Sequence, residues 1–231
     1  MSTHATRTAE DADADAAVVV VDYGLGNLRS VVRGLERAGA TVAVTDDPDE
    51  LATADGVVLP GVGAFSEGME NAGPFRDAIH DAADAGTPVF GICLGMQMLL
   101  DESEESDGAG MGDASGLGLV PGRNVRFSEE QTVPHMGWNE LRVERDHPLV
   151  TGVDGGSGGS VDGEFAYFVH SYYAVPDDDE HVVATTDYGT EFASIVANSE
   201  GNVFGTQFHP EKSGETGLTI LRNFVDICAQ P

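Results

Sequence analysis

The chain has 231 residues, is 41% hydrophobic, and sets 40 acidic against 11 basic residues for a net charge of −29. That predicts one large domain or two small ones with a sizeable core, and it argues against nucleic acid or an anionic membrane as a partner. No run reaches the roughly 18 apolar residues of a membrane span, and two cysteines make no disulfide framework, which fits a reducing cytoplasm.

The N-terminus "MSTHATRTAEDADADAAVVVV" has a short apolar run preceded by acids, unlike a signal peptide. Residues 1–15 are expected to form a disordered acidic tail, and 16–231 a single domain. "AAVVVVDYG" is a β-branched run ended by Gly24, a buried strand. "NLRSVVRGLERAGA" repeats apolar residues at helical spacing, with Asn27 as N-cap and Gly39 as stop. "TVAVTD" and "GVVLPG" read as strands, "FRDAIHDAADAG" as a helix stopping at Gly86, "TPVFGIC" as a fourth strand and "LGMQMLLDES" as the helix after it. Strands alternating with helices predict a parallel sheet covered on both faces. From residue 117 the pattern changes to short strands: "GLVPGRNVRF", "NELRV", "FAYFVHSYYAV", "HVVATTD", "FASIVANS" and "VFGTQFHP". "GLTILRNFVDICAQ" closes the chain as a helix. The expected fold is α/β with an antiparallel β portion in its second half. "SDGAGMGDASG" (106–116) and "DGGSGGSVDG" (154–163) read as polar surface insertions.

Such acidity over periodic apolar segments fits a folded surface adapted to high salt, where screening relieves carboxylate repulsion. The 11 basic residues include a single lysine, Lys212.

"VFGICLGMQ" puts G-x-C-x-G directly between a strand and a helix, the pattern of a nucleophile elbow with cysteine in place of serine. Gly91 and Gly95 permit the sharp turn, and the helix N-terminus favours a Cys93 thiolate. A buried cysteine between two packing glycines reads equally well from the pentapeptide alone. Among seven histidines, His209 stands apart in "QFHPEKS": Pro210 keeps it extended, and Glu211 lies where both side chains can leave one face of a strand end. A carboxylate there fixes the imidazole tautomer and stabilises the imidazolium. Acyl transfer also needs an oxyanion hole. The N–H of Leu94 is one candidate donor, and the glycine-rich "LPGVGAF", with Gly61, Val62 and Gly63, supplies a second.

The order of these pieces resembles the triad-type (class I) glutamine amidotransferases. "DYGLGNLRSV", "LPGVGAF", "PHMGWN", "YFVHSYY" and "GTQFHPEKS" are similar to the glutaminase subunits of imidazole glycerol phosphate synthases, with "PGVG" where most other triad amidotransferases carry "PGG". The resemblance spans residues 17–229 and implies a flavodoxin-like three-layer sandwich. It implies glutamine hydrolysis by Cys93, His209 and Glu211, with no metal and no cofactor. It implies substrate contacts from Gln97, Ser171, Tyr172 and Glu105. It also implies a heterodimer with a (β/α)8-barrel cyclase subunit that receives the ammonia. Lys212 is expected at the barrel mouth, and Tyr23, Asn27, Met136 and Trp138 at the interface or close to the site. The alternatives are a glutaminase serving anthranilate, guanylate or pyridoxal phosphate synthesis, and a non-catalytic regulatory subunit, against which the intact triad counts.

Overall fold

The structure, a computed structural model, describes residues 16–105, 114–153 and 164–230. The expected acidic tail, the second insertion and most of the first lie outside the described residues.

The parallel half is built from β1 (Ala17–Val21), α1 (Leu28–Ala38), β2 (Thr41–Thr45), β3 (Gly56–Gly61), α2 (Phe65–Asn71), α3 (Arg76–Asp84), β4 (Val89–Cys93) and α4 (Leu94–Leu99). Short strands β5 (Glu102–Ser103) and β6 (Ala114–Ser115) follow, then β7 (Gly122–Arg126), β8 (His135–Val143), β9 (Glu164–His170), β10 (Tyr172–Pro176), β11 (Val182–Asp187), β12 (Glu191–Ala197) and β13 (Val203–Thr206). α5 (Gly214–Cys228) ends the described chain.

The sheet runs β2-β1-β3-β4-β13-β12-β10-β7-β5-β6, and a branch leads from β12 through β11 and β8 to β9. β2, β1, β3, β4 and β13 are parallel neighbours, whereas β12 meets both β13 and β10 antiparallel. The mixed sheet therefore has the predicted parallel half and antiparallel half.

Why β1, β3 and β4 are continuous apolar runs is visible in their packing. Successive side chains point to opposite faces, and both faces are covered. Val18, Val20, Val58, Phe90 and Ile92 enter one core with Leu35 of α1 and Phe224 of α5. Val19, Val21, Val57, Leu59 and Val89 enter the other with Phe65 of α2, Ile79 of α3 and Leu94 of α4. This is the expected three-layer sandwich.

Three local expectations need correction. Asn27 occupies the N-cap position of α1, but its side chain makes no capping hydrogen bond. The helix after Cys93 ends at Leu99 instead of continuing to Ser103. Residues 117–120 dock against its end, where Leu117 N–H donates to Met98 O at 2.8 Å and Leu119 N–H to Leu99 O at 2.8 Å. These tertiary donors satisfy carbonyls that another helical turn would have used. Finally, α2 was not anticipated. Its first N–H, on Phe65, donates to the Glu105 carboxylate at 2.9 Å, a partner 40 positions away.

Candidate active site

Cys93 is the last residue of β4 and the N-cap of α4, with φ 55° and ψ −107°. It is the one non-glycine residue with positive φ among the described residues. L-residues rarely adopt such angles, and a packed structure must hold them there. The flanking glycines do so. A Cβ on Gly91 would sit 2.6 Å from the Gly95 carbonyl, and one on Gly95 would collide with the backbone oxygen of Leu59. The elbow is therefore a real turn, although α4 has only six residues and contributes little dipole to the sulfur.

Strand β13 runs beside β4 and delivers His209, which is 2% exposed. Its backbone is pinned to β9: His209 N–H donates to Tyr167 O at 3.0 Å, and Ser213 Oγ donates to His209 O at 2.7 Å. Glu211 is not on a strand end as the sequence suggested. β13 stops at Thr206, and Pro210–Lys212 form a 3₁₀ turn. The turn carries the Glu211 carboxylate back to His209, with Oε1 3.0 Å from Nδ1 and the carboxylate buried. Nε2 of His209 has no formed hydrogen bond. Burial alone would lower the His209 pKa. The interactions with Cys93 and Glu211 outweigh burial and raise it to about 9.

A cleft of about 250 Å³ opens over these groups. It is lined by Cys93, Leu94, Gln97, Glu105 and His209 together with Val62, Gly63, Ser171 and Tyr172, and by Pro134, Val169 and His170. The structure thus gathers the proposed nucleophile, base, oxyanion strand and substrate contacts around one cavity. Gly61 lies in register with Cys93 on the neighbouring strand. A Cβ there would meet the Tyr23 hydroxyl at 2.6 Å and Leu94 Cβ at 2.7 Å. Gly63 has φ +111°, an angle glycine adopts freely.

Some side chains carry duties beyond those expected. Gln97 Nε2 donates to Tyr172 O at 2.9 Å and to Gln207 Oε1 at 3.1 Å. Glu105 accepts from Phe65 N–H at the head of α2. Tyr23, expected at the interface or close to the site, is buried, and its hydroxyl donates to the Pro60 carbonyl of β3. Burial, then the proximity of Cys93, raises the pKa of its phenol.

Met136 and Trp138 are 62% and 57% exposed on β8. Their partners across the ladder, Val169 and Tyr167, belong to β9. Lys212 is exposed and Asn27 half-buried. Among the described residues no group of three or more His, Cys, Asp or Glu could hold a metal. No helix among them is long and apolar enough to cross a membrane.

Sequence reasoning assigned no role to Gln207, His135 or His170. Gln207 is fully buried beside Cys93, and His170, which lines the cleft, shares a 2.9 Å contact with His135. All three lie within stretches that resemble the family, but only the tertiary contacts show what they touch.

The family model for glutamine amidotransferase class-I matches residues 19–228. The chain belongs to the class-I glutamine amidotransferases. Among curated relatives of this amidotransferase, a protein of Haloarcula marismortui named imidazole glycerol phosphate synthase subunit HisH is 74% identical, covering 92% of this chain and 96% of its own. The protein of that name from Methanosarcina acetivorans is 51% identical over 91% of this chain and 98% of its own. Among solved structures, a putative GMP synthase subunit from Thermoplasma acidophilum superposes with a TM-score of 0.66 at 22% identity, covering 93% and 94% of the two chains. That likeness supports the fold alone. The amidotransferase fold is thus shared widely, while high identity is found with HisH subunits.

Proposed function

We propose that this chain is the glutaminase subunit of an imidazole glycerol phosphate synthase, and that it passes ammonia to a cyclase subunit for histidine biosynthesis. The observation that carries the chemistry is the buried constellation of Cys93 on its elbow with His209 and Glu211 beside it. The identity of the curated relatives carries the pathway.

In this reading Cys93 Sγ, having passed its proton to His209, attacks the side-chain carboxamide carbon of glutamine. The oxyanion forms against Leu94 N–H and a backbone N–H of the Gly61–Gly63 segment, where each donor contributes about 3 kcal/mol to the transition state. The carbon–nitrogen bond breaks, and His209 protonates the departing nitrogen, which leaves as ammonia. Water then attacks the glutamyl thioester with His209 as base, releasing glutamate and the thiolate. Glu211 fixes the His209 tautomer throughout.

The outward faces of β8 and β9 support a partner surface. Met136, Trp138 and Phe165 expose large apolar side chains on two paired strands, as a docking face does. β9 also holds the site, since Tyr167 O accepts from His209 N–H and Val169 O lies 3.8 Å from Cys93 Sγ. A partner seated on β8 and β9 can therefore bear on the triad.

The test is ammonia release from glutamine by the wild type and by Cys93→Ala, with and without a co-expressed cyclase subunit. The expected result is activity stimulated by the cyclase and abolished by the substitution. Ammonia release that survives Cys93→Ala would refute the nucleophile.

A further inference from the structure

Gln207 is fully buried between β13 and His209, and the triad makes no use of it. Its side chain ends a line of hydrogen bonds whose directions follow from a single carbonyl. Tyr172 O can only accept, and it meets Gln97 Nε2 at 2.9 Å and His170 Nδ1 at 2.8 Å. Both must donate, which fixes the Gln97 amide and the His170 tautomer. Nε2 of His170 then accepts from His135 Nδ1 at 2.9 Å, and His135 Nε2 accepts from Asn139 Nδ2 at 3.3 Å. The remaining hydrogen of Gln97 Nε2 goes to Gln207, which must present its oxygen, 3.1 Å away. The NH₂ group of Gln207 is left facing Cys93, with Nε2 3.9 Å from Sγ. Turning that amide over would set two NH₂ groups against each other and an oxygen against the sulfur.

We infer that Gln207 holds the Cys93 thiolate, donating from Nε2 both when the sulfur attacks and when it is expelled from the thioester. The inference rests on the reading of Cys93 as nucleophile. Two neutral groups beside the sulfur favour opposite protonation states. The Val169 carbonyl, 3.8 Å from Sγ, accepts from S–H and repels a thiolate. The Gln207 amide cannot take up the proton, and its long bond to a neutral thiol strengthens when the sulfur is charged. His209 gains and loses a proton in every cycle, whereas Gln207 stays a donor throughout. The short α4 leaves this task to side chains.

The experiment is the pH dependence of Cys93 alkylation by iodoacetamide in the full chain. Mass spectrometry of the Cys93 peptide separates it from buried Cys228. The rate follows the thiolate fraction. Its midpoint belongs to Cys93 coupled with His209, with the Tyr23 phenol as a second titratable group close to the sulfur. Gln207→Leu and Gln207→Met each remove the donor without adding a charge. Each is expected to raise the midpoint by about one pH unit or more, a shift that lost packing alone would not produce. Should the leucine variant fail to fold, the unbranched methionine variant, closer in shape to glutamine, carries the test. A wild-type midpoint that the folded variants leave in place overturns the inference alone. A wild-type Cys93 whose alkylation shows no thiolate titration overturns the nucleophile and the inference together.

Discussion

Nδ1 of His209 lies 3.0 Å from Oε1 of Glu211, and both side chains are shut away from solvent. The 3₁₀ turn beginning at Pro210 makes this possible by folding the carboxylate back over the residue that precedes it. Glu211→Gln keeps the shape and removes the charge. Ammonia release in the cyclase complex should fall by about 100-fold or more, the scale of lost general acid–base catalysis.

The same pair predicts a pH dependence of stability. The His209 pKa is raised from 6.5 to about 9 in the folded chain, so folding favours its protonated form. That contribution is fully present below pH 6.5 and is lost as pH rises through about 9. Urea midpoints of the wild type and Glu211→Gln should therefore differ more at pH 6.5 than at pH 9.5. An equal gap at both values would show that Glu211 does not raise the His209 pKa.

His135 and His170 predict the opposite slope. Burial lowers the His135 pKa to about 4. Burial also dominates at His170 and, with His135 and His209 nearby, outweighs the bond to Tyr172 O, giving about 3. Both rings stay neutral when folded and gain protons when unfolded. Their contribution is present above pH 6.5 and is lost as pH falls toward those values. Each ring adds up to about 1.4 kcal/mol of lost stability per pH unit in that window. His135→Gln should be less stable at pH 7 but lose stability less steeply between pH 6 and 4.5, measured by urea unfolding. Parallel slopes would contradict the assignment of the His135 ring as neutral in the folded chain.

Gly95→Ala tests the elbow. The new methyl group would overlap the Leu59 backbone oxygen on the adjacent strand, where no side-chain rotation can relieve it. Destabilisation should reach about 3 kcal/mol or more, the upper range for overpacking. Gly68→Ala, whose Cβ would meet Met98 Sδ at 3.0 Å and Leu94 Cδ2 at 3.1 Å, should cost less because those side-chain ends can move. Equal losses in urea unfolding would mean that the elbow has more slack than its contacts imply.

The parallel half was legible because β1, β3 and β4 are almost wholly buried apolar runs, as in "GVVLPG", which forms β3 from end to end. The elbow pattern was visible as glycine two positions either side of Cys93, but the pentapeptide alone read equally well as a buried cysteine, and the backbone angles of Cys93 show the turn. What sequence could not supply depends on long-range partners. α2 takes its cap from Glu105, α4 ends where residues 117–120 reach it, and Gln207 acquires its orientation from Tyr172 through Gln97. Tyr23 was placed by its motif at the interface or close to the site, and only the tertiary structure shows its phenol buried and donating to Pro60 O.

The final prediction concerns the exposed aromatic on β8. Trp138 contacts Tyr167 edge-on, with ring centroids 6.1 Å apart, and Tyr167 O accepts the N–H of His209. A partner that packs on Trp138 therefore presses on the strand that fixes the base. Trp138→Ala removes a half-exposed ring and its edge-on contact with Tyr167, so the isolated chain should lose about 1–2 kcal/mol in urea unfolding and stay folded. Affinity for the cyclase should fall by tenfold or more, as expected for a buried interface aromatic, and stimulation of ammonia release should fall with it. Met136→Glu, two residues along the same face, should weaken binding in the same way by placing an acid in an apolar contact. Titration calorimetry reads the affinity, and ammonia release at saturating cyclase reads the stimulation. Unchanged affinity in both variants would place the docking surface elsewhere on the chain.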